Sequence, residues 1–317
     1  MSLLVYLWSH WLFVAFLAPF FWSLVNIIDV YFVSGVYEDE WDGILINSIF
    51  QALPWLLPVI GLVSFHYPGA AISGIALLAG SCLALSYFFY FKTLFISNDV
   101  VVVQALWNLS VPLVPFLAWF LVDEKLSLVH YIGIFLAFVG AMIFSLHQEI
   151  QSKNFTQVFT VMLGAIVFFS LSMVLQTEAY HSIGNDFWTG FLLFSAGATV
   201  TGLLLSFFDG KSIKDRAVHI FQMSKSFFLI FVLAETLNLL GVLVSQRAID
   251  LSQAVSFVAV IGSLTPVFVL LVSFFLIFVF LVLNKVRARQ IYQDQLIAPR
   301  TKILACCIIA VGIYLIS

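Results

Sequence analysis

The chain has 317 residues, 63% hydrophobic and only 9% charged, with a formal net charge of −3. Soluble domains carry roughly 25% charged residues, so a water-soluble fold is excluded, and the small acidic excess offers nucleic acid no basic surface. The three cysteines, Cys82, Cys306 and Cys307, sit in apolar runs without CxxC spacing, which argues for buried free thiols rather than a disulfide framework or a thiolate metal site.

A helix needs about 20 apolar residues to cross a bilayer, and the chain divides into ten such pieces. The first covers residues 11–33 and contains Pro19, Asn26 and Asp29. The residues before it carry no Lys or Arg, and the apolar run is too long for a signal peptide's h-region, so it reads as a span. An acidic loop, residues 37–42, leads to the second span, 43–65, where Asn47, Gln51, Pro54 and Pro58 fall on one helical stripe. The turn Tyr67-Pro68-Gly69 ends it. The third span covers 70–91. The fourth, 98–122, opens on the capping residues Asn98 and Asp99 and holds Gln104, Trp107, Asn108, Pro112 and Pro115. The fifth covers 128–146.

A polar connector, 147–157, divides the chain near its middle. The sixth and seventh spans cover 158–180 and 187–208, and a polar stretch from 209 to 225 follows. The eighth, 227–247, contains Glu235. The ninth runs from 252 to 283, longer than a bilayer requires, and a basic segment, 284–300, precedes the tenth, 301–316.

Five spans, a connector and five spans suggest a duplication into residues 1–150 and 151–317. An offset of 147 sets Ser23 on Ser170, Asp39 on Asp186, Trp41 on Trp188 and Gly43 on Gly190; an offset of 154 sets Pro112 on Pro266. Gly140 meets Gly312 only after a further insertion, the lengthened ninth span and its basic tail. Because five is odd, the halves enter the membrane in opposite senses. The expected fold is therefore an all-α polytopic membrane protein of ten transmembrane helices in two inverted five-helix repeats, a common transporter design with its substrate site between the halves.

Glu235 is the most informative residue. An acid at a helix centre costs about 2.5–3.5 kcal/mol on insertion scales, so a chain that keeps one turns it inward. Asn238 lies three residues on, on the same face, continued by Val242 and Ser245. Gln104, Trp107 and Asn108 share a face of the fourth span, and Asn26 and Gln51 can face the same interior. Each can line a substrate cavity; each can also make an ordinary interhelical hydrogen bond. Pro112 and Pro266 are expected to bend the fourth and ninth spans at equivalent places, either as part of a rocking motion or as plain structural bends. Lys92 and Arg247, at equivalent span ends, are expected to snorkel.

The sequence resembles the drug/metabolite transporter superfamily, in particular its ten-span EamA-like members. The resemblance is carried by FWSLVNIID ending at Asp29, Phe95-Ile96-Ser97-Asn98, Ser110-Val111-Pro112-Leu113-Val114, and Leu121-Val122-Asp123-Glu124-Lys125-Leu126 followed by Gly133 and Gly140. Val30 stands where related proteins often have Lys, and the second half has Asn284-Lys285-Val286-Arg287 in place of the acidic loop. The resemblance implies a carrier with a central cavity lined by both halves, working by alternating access without nucleotide hydrolysis, and no Walker-type glycine loop is present.

The expected function is secondary active transport of a small metabolite, with Glu235 available for proton coupling. A flippase for a lipid-linked sugar or phosphate, or a non-transporting membrane scaffold, are the alternatives. HExxH, GxSxG and a close acid pair on one helix face are all absent, so no enzyme activity and no cofactor are expected. The expected partners are a small-molecule or lipid-linked substrate and membrane lipid, in a monomer or homodimer of the plasma (inner) membrane. Every Lys and Arg except Lys125 and Arg247 falls on one side of the ten-span count. The positive-inside rule puts that side in the cytoplasm and both termini outside, whereas the resemblance implies termini inside.

Overall fold

In hydrocarbon a backbone must satisfy its own N–H and C=O groups, and a long apolar run does so by forming helix. The computed structural model describes residues 7–32, 37, 39–97, 100–146, 155–184, 186–208, 218, 225–283 and 299–317, and among these there is no strand. The helices are α1 (Trp11–Phe32), α2 (Glu40–Ala52), α3 (Ala70–Ser97), α4 (Val100–Trp107), α5 (Ser110–Val122), α6 (Leu128–Leu146), α7 (Phe155–Ile183), α8 (Phe187–Ser206), α9 (Lys225–Leu251), α10 (Val255–Gly262), α11 (Thr265–Leu283) and α12 (Pro299–Ile316). Among the described residues nine helical stretches are long and apolar enough to cross a membrane, with α4–α5 and α10–α11 each counting as one. The chain is an integral, multi-pass membrane protein.

Several expected boundaries move. Residues 40–42 are not loop: Asp39 is the N-cap of α2, accepting from the backbone N–H groups of Trp41 and Asp42, and Glu40 and Asp42 occupy the first turn, where acids favour the positive end of the helix. The second span stops earlier than residue 65. It tightens into a 3-10 turn at Leu53–Trp55, passes through a short helical turn, Leu56–Val59, and leaves helix before Gly61. The fourth and ninth spans are each interrupted, at residues 108–109 and 263–264. The connector 147–154, the basic stretch 284–298 and most of 209–224 lie outside the described residues.

Lipid tails are as apolar as leucine, so helices associate in a membrane through close packing and hydrogen bonds. α3 lies along α7, α9 along α1, α6 along α12, α2 along α8, and α8 along α3. The α3–α8 seam shows why glycine is needed. A Cβ added at Gly80 would stand 1.8 Å from the Phe194 carbonyl oxygen, and one at Gly197 would stand 2.0 Å from that of Leu77. The two backbones touch there, and Thr201 donates to Ser81 Oγ at 2.8 Å along the same seam. By contrast, α2 and α9 meet through aromatic side chains: Phe50 and Phe231 lie edge to face at 6.3 Å. The main buried cluster includes Phe191, Phe194, Ile249 and Ile261, and it supports the walls of the cavity described next.

Candidate functional site

The interruptions in α4–α5 and α10–α11 face one cavity. Asn108 and Ser110 border it at the first interruption; Gly262, Ser263 and Thr265 border it at the second. The broken backbone is held locally: Ser263 Oγ donates to the Val260 carbonyl at 2.6 Å, and Thr265 Oγ1 to that of Gly262 at 2.9 Å. Pro112 and Pro266 do not mark the bends themselves. They lie in the first turns of α5 and α11, where a missing N–H costs no helical bond, and neither lines the cavity. Each bend falls a few residues earlier, and the proline begins the helix that follows. Pro112 faces a different, apolar groove between α5 and α6, beside Trp119 and Phe135.

α9 contributes Glu235, Asn238 and Ser245 to the wall, a rise of about 15 Å along the helix at 1.5 Å per residue. Glu235 is 8% exposed. Tyr37 Oη donates to its Oε1 at 3.1 Å, and Oε2 has no hydrogen-bond partner among the described residues. Tyr37 is itself wedged edge-on against Phe91 at 5.9 Å and Phe231 at 6.3 Å, which holds its hydroxyl at the carboxylate.

Aromatic residues supply the largest side chains of the remaining lining, beside smaller apolar ones such as Ala18 and Val25. α1 supplies Trp22 and Asn26, α3 supplies Tyr87 and Tyr90, and α7 supplies Phe169. Tyr90 packs edge to face on Trp107 at 5.4 Å, and Trp107 lies 4.8 Å from Phe169. Trp22 reaches the wall because residue 241 of α9 is glycine: a Cβ there would stand 2.6 Å from the indole nitrogen. The cavity has about 1070 Å³ of atom-free space, including its open mouth. Among the described residues no Lys, Arg or His lines it.

Five of the sequence-selected residues thus converge: Glu235, Asn238, Trp107, Asn108 and Asn26. Asn108 also has a structural task, donating from Nδ2 to Ser145 Oγ at 3.1 Å and to the Ala141 carbonyl at 3.4 Å, which fastens the first interruption to α6. The side chains of Gln104 and Asp29 lie outside the described ones. Gln51 is a correction. It is 1% exposed, but its stripe faces α8, where Ser195 Oγ donates to the Gln51 carbonyl, and it does not line the cavity. The stripe 47–51–54 is buried because α2 lies along α8. Gln176 is likewise structural, donating to the Gly190 carbonyl at 3.3 Å.

Arg247 does not snorkel. It pairs with Asp250 one turn on, and its guanidinium carbon lies 5.2 Å from the centre of the Phe187 ring and 6.0 Å from that of Trp8. Lys92 lies 5.9 Å from the centre of the Phe88 ring.

Sequence reasoning missed the aromatic half of the site and Tyr37. The spacing of Tyr87 and Tyr90, and of Trp22 and Asn26, places each pair on one helical face, so that signal was present. Tyr37 meets Glu235 across 198 positions, and nothing local marks that contact.

No family model and no curated protein matches the sequence. Solved structures do match: one, described only as a crystal structure of a protein, has a TM-score of 0.65 at 16% identity, covering 98% of this chain and 97% of its own. At that identity the likeness is one of fold.

Proposed function

We propose that the chain is a secondary active transporter for a small molecule, built as ten spans in two inverted five-helix repeats and akin to the EamA-like transporters. The observation that carries this reading is the position of the cavity. It lies where two interrupted spans meet, with one buried carboxylate whose second oxygen is unpartnered among the described residues. Transporters with inverted repeats bind substrate at such discontinuous helices, where the bundle interior tolerates irregular backbone.

Repeat-equivalent residues doing the same work support the duplication. At the offset of 147, Asp39 and Asp186 are both N-caps, and Gly43 and Gly190 both sit under aromatic rings, those of Phe91 and Tyr180. At the offset of 154, Asn108 corresponds to Gly262, and both interruptions border the cavity. The packing also exchanges between halves: α3 on α7 corresponds to α9 on α1, while α6 on α12 and α2 on α8 map onto themselves. One pair breaks the symmetry. α3 and α8 touch through glycines, whereas their counterparts α9 and α2 stand apart on Phe50 and Phe231. Equivalent seams packed unequally support a single state of an alternating-access cycle. The cytoplasmic face is assigned to the basic side, with the plasma membrane as its site.

The test is uptake by proteoliposomes against a panel of metabolites and lipid-linked sugars, with an imposed proton gradient. Solute accumulation that exceeds protein-free liposomes and is lost in Glu235→Gln is the expected result. Failure to move any solute above background refutes transport; accumulation that stays fully proton-driven in Glu235→Gln refutes coupling through this carboxylate. Thiol labelling of a cysteine placed at the exposed position 218 in intact cells reads the orientation, and the charge assignment expects it to be protected.

A further inference from the structure

The lining of the cavity has a sign. Among the described residues Glu235 is its one acid and keeps Oε2 unpartnered, its amides and hydroxyls are neutral, and no cationic side chain lines it. Two cations on helices that line it are engaged elsewhere, Arg247 with Asp250 and Lys92 against Phe88. Helix ends do not reverse this sign, because each interruption places a helical C-terminus next to an N-terminus and the opposed dipoles largely cancel.

Several of the other lining groups are aromatic, beside apolar residues such as Ala18, Val25 and Met173. Trp22, Tyr87, Tyr90, Trp107 and Phe169 come from four helices and line the same cavity as Glu235. Indole and phenol faces attract cations, and an uncompensated carboxylate at this depth favours a positive neighbour. Beside a neutral ligand only a proton can neutralise the carboxylate, and an anion adds a like charge to it.

We propose that this cavity binds an organic cation: one ammonium or similar positive centre on an apolar body, with the charge at Glu235 Oε2 and the body among the rings. The inference deepens the transport reading of the same site by giving its substrate a chemical class.

Three isosteric probes test it on the purified full chain in detergent: benzyltrimethylammonium, the uncharged neopentylbenzene of the same shape, and the anion phenylmethanesulfonate. Titration calorimetry is expected to show the cation binding at least ~10-fold more tightly than the neutral isostere, and the anion not at all. Glu235→Gln is expected to erase the preference for the cation, Glu235→Asp to retain it, and Trp107→Leu to weaken the cation by about 3- to 30-fold. Equal binding of cation and isostere, a preference for the anion, or unchanged cation binding in a folded Glu235→Gln overturns the proposal. Should Glu235→Gln fail to fold, the three-probe comparison on the unaltered chain still decides. Labelled benzyltrimethylammonium in proteoliposomes separates the two readings. Binding without flux of any solute sinks transport and leaves the cation site standing; flux of another solute without cation binding sinks the cation site alone.

Discussion

The acidic turn between α5 and α6 gives the most quantitative prediction. α5 ends with Asp123 in the left-handed region at φ 54°, and the backbone N–H groups of Asp123 and Glu124 both donate back to the Ala118 carbonyl. That closure aims Glu124 across the molecule at the start of α10, which lacks a side-chain cap of its own because its N-cap is Ala254. Glu124 Oε2 accepts from the Val255 N–H at 2.8 Å, and Oε1 accepts from Ser256 Oγ. Both Val255 and Ser256 are fully buried. Glu124→Ala therefore strands two buried donors. Each costs about 1–3 kcal/mol when unsatisfied, and water entering the half-exposed turn recovers part of this. The expected loss is about 2–3 kcal/mol, above the ~1 kcal/mol typical of a lost N-cap. Ser256→Ala alone is expected to cost about 1 kcal/mol, with a coupling of about 1 kcal/mol between the two substitutions. Reversible unfolding in mixed detergent–SDS micelles measures all four corners of the cycle. A Glu124→Ala variant within 0.5 kcal/mol of the parent, or a coupling near zero, would refute the reasoning.

Three further outcomes are expected. Burial holds the Glu124 carboxyl above its usual range, against the lowering effect of its bonds from Ser256 and Val255. The folded chain thus keeps this proton more tightly than the unfolded one, and stability from this group is present at low pH and lost as pH rises from the ordinary carboxylate range upward. Glu124→Gln should remove that slope in unfolding measured between acid and neutral pH. Gly80→Ala, which drives a methyl into the Phe194 backbone, should cost at least the ~1–3 kcal/mol of overpacking, whereas Gly74→Ala, with nothing within 4 Å of the new methyl, should be near neutral in the same assay. Gly241→Ala should push Trp22 out of the cavity wall and weaken ligand binding several-fold, with a smaller effect on unfolding.

The sequence alone determined the class of the molecule, because 9% charge spread over long apolar runs is incompatible with any other solvent. It also determined the approximate spans, and it singled out Glu235, since a buried acid in hydrocarbon is too costly to be incidental. Asn238, Trp107 and Asn108 followed from helical spacing. Spacing, however, places residues on a face without saying what that face meets. Gln51 and Asn26 looked alike on this ground, and only tertiary packing sent Gln51 against α8 and Asn26 into the cavity. Proline marked the interrupted spans, but not the positions of the interruptions, 108–109 and 263–264, where Asn108 is fastened to α6 and Ser263 and Thr265 bond back to their own chain. The partners of Glu235 were decided last. Tyr37 arrives from 198 positions away, and the rings that line the same cavity come from four other helices. The carboxylate's cost was local and legible; its surroundings are a property of how the helices pack.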